Sequence, residues 1–317
     1  MNAQSFLNQL LRKREIVLLF ALILYCIVVA IINPAFIRPE NLFDIVKSSA
    51  GMMILAMGLL TVIISGGIDV SFTAIAIFGG YVTIRLMIAL GLDSLFLAFI
   101  LSAFIGVLLG LLNGLLVHKF RILPLIATLA TQNIFIGILS IFFGTRFIPV
   151  REMPKSIVNF GTKPLLSIHL VDGGIANLSL FLIPVVIVIF VTWFVLNVTV
   201  LGRSVYAIGS NIAAAKRSGI NVAVLRYFVY AYMGMLAGVM GIVYAAEVRS
   251  LNPISLVGQE LTIIAAVVLG AAKLEGGSGN ILGTVLAVLL ISILNTTLIF
   301  IGLSASWNDF FVGIIII

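Results

Sequence analysis

Charged residues are scarce in this chain of 317 residues: they make up 9% of it, against 62% hydrophobic residues. A soluble domain usually carries about 25% charged residues, so no soluble core could bury this much apolar surface. The chain instead contains runs of about 20 apolar residues, which are long enough for helices that cross a membrane. Segments of about ten residues with alternating polarity, typical of membrane β-barrels, are missing. The composition therefore predicts an all-α, polytopic membrane protein.

Residues that carry enzyme and metal chemistry are also rare. The one cysteine, Cys26, lies inside an apolar run, so an internal disulfide is excluded. The two histidines, His118 and His169, are far apart in predicted connections, and a zinc site is therefore not expected. The sequence has no G-x-x-x-x-G-K-[ST] loop for ATP and no G-x-S-x-G nucleophile motif. We expect no catalytic residues, no cofactor and no metal.

The basic residues indicate how the chain lies in the membrane. Its net charge of +7 would favour nucleic acid in a soluble protein, but here most Lys and Arg side chains fall in short connections. There they set orientation or meet anionic lipid headgroups. No basic stripe is interleaved with aromatic residues, so a nucleic-acid partner is not expected. The clusters at 12–14 and 118–121 predict a cytoplasmic N-terminus and a cytoplasmic connection after the fourth span.

The apolar runs predict the number of spans. Eight full spans are expected at about 16–32, 48–65, 72–90, 95–117, 122–143, 178–197, 227–246 and 281–301. The segment Leu261–Ala272 covers only about 18 Å as a helix, too short for a core about 30 Å thick, so it starts near Ser255 or is a partial span. The chain ends in the apolar run FFVGIIII, which predicts a truncated last span. We expect about ten transmembrane helices in one domain over 1–317, with a long outer loop at 144–177.

One stretch, Leu201–Val222, departs from the apolar pattern. Ser210 or Asn211 can cap a short helix over 212–217, and Gly219 stands where a left-handed residue ends a helix. The last turn holds two basic residues, which suit the negative end of the helix dipole. Because a helix this short is marginal alone in water, we expect it to dock against something. The plain alternative is a polar loop that contains one helical turn.

Two Gly-Gly breaks share a pattern. Those at 66–67 and 276–277 each lie beside one carboxylate, Asp69 or Glu275, between apolar segments. Transporters often contain repeats with glycine-broken helices, so a parallel internal duplication would explain the likeness, and so would coincidence. Asp69 is expected at a helix N-terminus, either as a cap stabilised by the dipole or as a substrate contact.

Uncharged polar side chains on the apolar helices are the candidates for a transport pathway. They can hydrogen-bond between helices or line a wet path for a hydroxyl-rich solute. The pathway candidates are Asn113, Thr131, Asn133 and Asn295. No run of buried Asp, Glu and His crosses the spans, which disfavours a proton-driven carrier. Charged rings of the kind found in ion channels are missing as well.

Several motifs together resemble the permease subunits of bacterial ABC importers of the ribose type, a family that also carries other monosaccharides and autoinducer-2. The matching motifs cover nearly the whole chain: SGGIDVS at 65–71, GLLNGLLV at 110–117, ILPLIATLAT at 122–131, GRSVYAIGSN…SGINV at 202–222 and GQELTIIAAVVLGAAKLEGGSGNILGT at 258–284. The sequence departs from the family pattern at Phe72, Ser210, Thr262, Ala271–Ala272 and Thr296–Thr297. These departures leave the exact sugar open.

The resemblance implies a permease of the bacterial inner membrane, driven by ATP hydrolysis on a separate subunit. Its implied partners are the ABC ATPase subunits, a second permease chain that is identical or different, and a periplasmic sugar-binding protein. The segment 202–222 then becomes a coupling helix seated on the ATPase. Its expected contact residues are Ser210, Asn211, Ala214, Lys216, Arg217, Ser218 and Gly219.

The outer face offers a second set of candidates. Arg146, Arg151 and Arg249 could dock acidic groups of the binding protein, and solvated loop charges are the alternative. The competing function is a self-sufficient secondary carrier for a small polar solute. A membrane enzyme is a third reading, but no convergent acid–base or metal set supports it.

Overall fold

The computed structural model describes residues 14–144, 146–170, 173–300 and 307–316, and most of them are helical. The helices are α1 (Arg14–Ile32), α2 (Pro39–Ile64), α3 (Phe72–Leu90), α4 (Leu95–His118), α5 (Pro124–Phe143), α6 (Lys155–Thr162), α7 (Leu182–Trp193), α8 (Val200–Ser210), α9 (Ile212–Arg217), α10 (Val222–Val248), α11 (Glu260–Leu269), α12 (Ile281–Phe300) and α13 (Trp307–Ile316). The strands are β1 (Ile148–Pro149), β2 (Pro164–His169), β3 (Ile175–Ser179) and β4 (Ser250–Leu251). Arg12 and Lys13 of the predicted basic cluster, and Ile317, lie outside the described residues.

The spans agree with the apolar runs in position but not in number. Seven described helices are long and apolar enough to cross a membrane, or up to eight if the bent pair α7–α8 is one span. About ten transmembrane helices are therefore not confirmed, since α11 and α13 have ten residues each. The second span was expected from residue 48 but begins at Pro39. Proline suits the first helical position, and Glu40 in the first turn suits the positive end of the dipole.

The centre of the bundle is formed by α2 and α10. In their most apolar windows, 83% of α2 and 72% of α10 is buried, against 11% of α1. The peripheral helices expose large apolar side chains, among them Phe20 on α1 and Phe96 on α4. The bundle is thus sorted into central helices covered by protein and outer helices that present an apolar surface suited to lipid.

Glycines set the closest helix contact, between α4 and α10. Gly106 and Gly110 on α4 face Gly234 and Gly238 on α10, and a Cβ at Gly106 would overlap the carbonyl oxygen of Gly234. This four-residue spacing of small residues is typical of helix pairs in membranes. Ser102 adds a hydrogen bond across the seam, its hydroxyl donating to the Gly238 carbonyl at 2.6 Å. The seam holds α4 and α10 in one fixed arrangement.

The chain bends by 73° between α7 and α8. A stretch of π-helix, Phe194–Val198, ends α7, and Thr199 then caps α8 by accepting a hydrogen bond from the Gly202 N–H at 3.1 Å. The bend turns the chain into the polar stretch that contains α9.

The predicted loop 144–177 is largely structured. It contains β1, α6, β2 and the start of β3, so the all-α expectation is corrected by two small antiparallel strand pairs. β1 pairs with β4, and β2 forms a hairpin with β3. The Ser156 N–H of α6 donates to Asp93 at 2.7 Å, which ties α6 to the connection between α3 and α4. We call the side of the bundle that carries residues 144–177 the loop end, and the side that carries α9 (Ile212–Arg217) the α9 end.

Candidate functional site

The short helix predicted in the polar stretch is present as α9, over Ile212–Arg217. Asn211 is its N-cap, because its side chain accepts from the Ala214 N–H at 2.9 Å. Ser210 belongs instead to α8, where its hydroxyl bonds back to the Tyr206 carbonyl at 3.0 Å. Gly219 follows the helix with φ +81, a left-handed conformation that favours glycine. The stretch therefore contains a capped helix and is more than a polar loop with one helical turn.

One face of α9 is fixed and the other is open. Ala215 is buried, and the Ile220 N–H donates to its carbonyl oxygen at 3.1 Å. Lys216 and Arg217 are exposed and form no ion pair with any described residue. Ser218 bonds to the Ala214 carbonyl at 3.1 Å, which closes the last turn. α9 thus presents Lys216 and Arg217 on its exposed face, without an ion-pair partner among the described residues.

A junction of three glycine-containing segments lies where α8 ends, directly before α9. It brings together the end of α2, the end of α8 and the loop between α11 and α12. The Gly277 N–H donates to the Ile64 carbonyl at 2.8 Å, and a Cβ at Gly209 would overlap that same carbonyl oxygen. A Cβ at Gly276 would lie 2.7 Å from the Gly66 Cα. The two Gly-Gly breaks singled out in the sequence therefore meet, and they meet directly before the candidate coupling helix.

A buried hydrogen-bonded chain joins α3, α4 and α5. Asp69 accepts from the Ser71 N–H at 2.8 Å and from the Ser71 hydroxyl at 2.7 Å, at the N-terminus of α3. Asn113 donates to the Ser71 hydroxyl at 2.7 Å and accepts from the Thr131 hydroxyl at 2.7 Å. All four side chains are buried. Asp69 is therefore not the predicted cap: Ser71 is the N-cap residue of α3, and Asp69 bonds to Ser71 rather than to an N–H of the first turn. Asn113 and Thr131 are engaged between helices.

Glu260 is a functional candidate that sequence reasoning missed. It is buried at the first position of α11, and its Oε1 accepts from the Thr73 hydroxyl at 2.5 Å and from the Gln132 side-chain amide at 2.6 Å. Its Oε2 accepts from the Gly258 N–H at 2.8 Å. The available signal was a carboxylate placed directly before an apolar segment too short to span. Glu260 therefore anchors a partial span to α3 and α5.

A cavity of about 360 Å³ lies at the loop end between α2, α10, α11 and α12. Of the four pathway candidates, Asn295 lines it, and the Oδ1 atom of Asn295 is buried without a hydrogen-bond partner among the described residues. Asn133 is exposed on α5 and bonds to the Leu129 carbonyl at 2.8 Å. The structure thus separates the four candidates: one faces a cavity, two are buried in a chain of hydrogen bonds, and one lies at the surface.

The three candidate docking arginines flank one small sheet at the loop end. Arg146 precedes β1, Arg151 follows it, and Arg249 precedes β4, the strand that pairs with β1. Arg146 lies 3.7 Å from Glu152 in an exposed ion pair. Among the described residues, no three His, Cys, Asp or Glu side chains are grouped as metal ligands would be. The loop end therefore offers a basic surface, assembled by pairing of distant segments.

Known proteins resemble this chain over most of its length. Residues 41–317 match the family described as branched-chain amino acid transport system / permease component. The chain is 35% identical over 296 residues to the ribose import permease protein RbsC of Bacillus subtilis, covering 93% of this chain and 88% of that protein. It is 32% identical over 288 residues to RbsC of Haemophilus influenzae, covering 91% and 86%.

A third relative carries a different name. The autoinducer 2 import system permease protein LsrC of an Enterobacter species is 32% identical over 312 residues, which cover 98% of this chain and 87% of the relative. No solved structure shows a significant match. The chain belongs to the branched-chain amino acid transport system permease family, in the group that holds the ribose and autoinducer-2 import permeases, and it is a multi-pass transport subunit of the inner membrane rather than an enzyme.

Proposed function

We propose that this chain is the membrane-spanning subunit of an ATP-driven importer for a monosaccharide or a related carbohydrate, such as a ribose-like sugar or autoinducer-2. ATP is hydrolysed on separate ABC ATPase subunits. The observation that carries the proposal is α9. It is a capped helix with two exposed cations, and it directly follows the glycine junction at the end of α8. A transport subunit without its own ATP site needs such a surface to receive force from its partner.

The two ends of the bundle then face different partners. The α9 end faces the cytoplasm and the ATPase, where Ser210, Asn211, Ala214, Ser218 and Gly219 shape the contact. The two cations at the end of α9 meet acidic groups of the ATPase. The loop end faces the periplasm and receives a sugar-binding protein. A second permease chain completes the pathway, to which Asn295 contributes a side chain while Asn113 and Thr131 hold its wall. Asn133 remains a pathway candidate on the exposed side of α5.

A substitution at Gly219 tests the coupling role. Because Gly219 has φ +81, a β-branched residue there is strained by about 1–3 kcal/mol. Gly219→Val is expected to lower ATP-driven uptake about tenfold while ATP hydrolysis continues, which is uncoupling. Ala214→Pro, which removes the N–H bonded by Asn211, is expected to act in the same direction. The measurement is sugar uptake and ATP hydrolysis in proteoliposomes that contain the permease, the ATPase and the binding protein.

The matched control is Gly91→Val. Gly91 also has positive φ, +65, with open space around it, but it lies at the loop end. It imposes the same kind of backbone strain away from α9, so coupling should survive. Normal uptake in Gly219→Val would contradict the coupling role. Uptake that persists without the ATPase and collapses with an uncoupler would favour the secondary carrier.

The arginines at the loop end give a separate test. Because Arg249 is exposed beside the β1–β4 pair, Arg249→Glu places a negative charge where an acidic partner would dock. We expect stimulation of ATP hydrolysis by the binding protein to need roughly five- to tenfold more of that protein, since a repelled charge weakens association. Lys163→Glu at the same end controls for net charge. Unchanged stimulation in Arg249→Glu would count against docking at this surface.

A further inference from the structure

The cavity at the loop end has the lining of a small-molecule site. Its volume of about 360 Å³ lies within the range of roughly 300–1,000 Å³ that ligand pockets occupy. Its walls come from four helices and from the turn before α11. The lining residues that bear on binding are Gly51, Met52, Met240, Glu247, Thr262 and Asn295.

The polar groups of the cavity converge from different helices. Thr262 on α11 and Asn295 on α12 face it, and Glu247 contributes a carboxylate from α10. The Asn295 Oδ1 atom is buried without a partner among the described residues, and no hydrogen bond from the Thr262 hydroxyl is found within the described part of the chain. A buried polar atom left unpaired is costly and calls for a partner. These groups therefore offer free hydrogen-bonding capacity inside the cavity.

The charge and shape of the cavity narrow the class of ligand. Glu247 is its one carboxylate, and a carboxylate accepts hydrogen bonds from hydroxyl groups. Met52 and Met240 supply flexible apolar surface, and Gly51 leaves room for the Met240 side chain. Hydroxyl, amide and carboxylate groups beside apolar walls suit a neutral solute with several hydroxyls.

We propose that this cavity is a binding site for a neutral polyhydroxylated solute within a single permease chain, with Thr262, Asn295 and Glu247 as its hydrogen-bonding residues. The site deepens the proposed function and rests on it. The Glu247 carboxylate accepts hydrogen bonds from hydroxyl groups of the solute, and the Asn295 Oδ1 atom accepts from another hydroxyl. Since a conduit must release what it binds, the site holds its solute through a few hydrogen bonds and lets it leave.

One wall of the cavity, on α11, is connected to the glycine junction. Gln259 and Thr262 flank Glu260, whose carboxylate fixes the start of α11 to α3 and α5. The opposite end of α11 leads into the glycine junction before α9. α11 therefore connects the wall that carries Thr262 to the glycine junction.

Thiol labelling tests the site directly. Cys26 is the chain's one cysteine, so a Cys26→Ala background allows a single probe at Thr262→Cys. A water-soluble methanethiosulfonate reagent should label this cysteine, and D-ribose, D-xylose, D-galactose or autoinducer-2 should slow the labelling at least about threefold, as expected if bound solute covers the residue. Ser167→Cys, on the exposed β2 strand, is the matched control and should label at an unchanged rate.

An isosteric pair of variants adds a transport readout. Thr262→Val removes a hydroxyl that faces the cavity, whereas Thr296→Val removes one that bonds within its own helix to the Ser292 carbonyl. Uptake by Thr262→Val is expected to need about five- to tenfold more sugar for half-maximal rate, in line with one lost hydrogen bond, while Thr296→Val stays close to the parent chain.

The outcomes separate the two proposals. Labelling at Thr262→Cys that no sugar slows, or that choline slows instead, overturns the cavity site even if uptake is driven by ATP. Equal sugar dependence in Thr262→Val and Thr296→Val overturns it as well. Sugar protection combined with uptake that ignores the ATPase upholds the cavity and overturns the ATP-driven importer.

Discussion

Gly209→Ala is expected to lower ATP-driven uptake at least about tenfold, and to do so without preventing insertion of the chain into the membrane. A Cβ at Gly209 would overlap the Ile64 carbonyl oxygen, the same atom that accepts the Gly277 N–H. One added methyl group therefore forces three backbone segments apart. Overpacking of this kind costs about 1–3 kcal/mol of stability, so we expect the packing of the junction to change and its role in transport to be lost.

The expected loss is a loss of transmission, because the junction joins α9 to α11 and α2. Uptake in proteoliposomes should fall more than ATP hydrolysis does. Gly313→Ala is the matched control: it adds the same methyl group to a helix where no atom lies within 4 Å of the new Cβ, and uptake should be retained. If Gly209→Ala takes up sugar at the same rate as Gly313→Ala, the glycine junction does not transmit conformational changes from α9.

Glu260→Ala is expected to be the most destabilising single substitution in the partial span. It leaves the Thr73 hydroxyl, the Gln132 amide and the Gly258 N–H without their acceptor. Each buried donor left unpaired costs about 1–3 kcal/mol. We expect the midpoint of thermal unfolding in detergent to fall by more than about 5 °C and sugar uptake to fall with it.

The unfolding midpoint of Glu260→Gln should lie between those of the parent chain and Glu260→Ala, since an amide keeps one acceptor oxygen but lacks the second. Glu275→Ala is the control for loss of a carboxylate, because Glu275 is exposed in the loop that follows α11. A Glu260→Ala chain that unfolds at the same temperature as Glu275→Ala would show that the three hydrogen bonds do not hold α11 in place.

The two sites are connected through α11. Its first residue is fixed to α3 and α5, its third residue, Thr262, faces the cavity, and the loop after it enters the glycine junction. α11 also packs against α12 and α2 along its length, and its middle residues Ile263, Ala265 and Ala266 are buried. The segment that is too short to span the membrane, as its shortage of apolar residues indicated, thus connects the cavity to the glycine junction.

Local chemistry explains why the sequence predicted some elements well. α3 was expected at 72–90 and occupies those residues, since a run of apolar residues bounded by polar turns leaves little choice in a membrane. The short helix 212–217 was expected from a cap, a basic last turn and a glycine, and those signals act within a few residues. The start of α2 at Pro39 was missed, because its first turns contain polar residues that the apolar pattern ignores.

By itself the sequence determined the class of protein, the positions of most spans, the capped helix and the family, because apolar run length, capping and short motifs are local properties of a chain. Tertiary structure alone decided that the two Gly-Gly breaks meet directly before α9, that Glu260 anchors a partial span, and that the three arginines share one sheet. It also decided that, of the four pathway candidates, Asn295 faces a cavity while Asn113 and Thr131 are buried in a chain of hydrogen bonds. These facts depend on contacts between residues far apart in the chain, such as Thr73 with Glu260, and no local pattern encodes which distant segment packs against which.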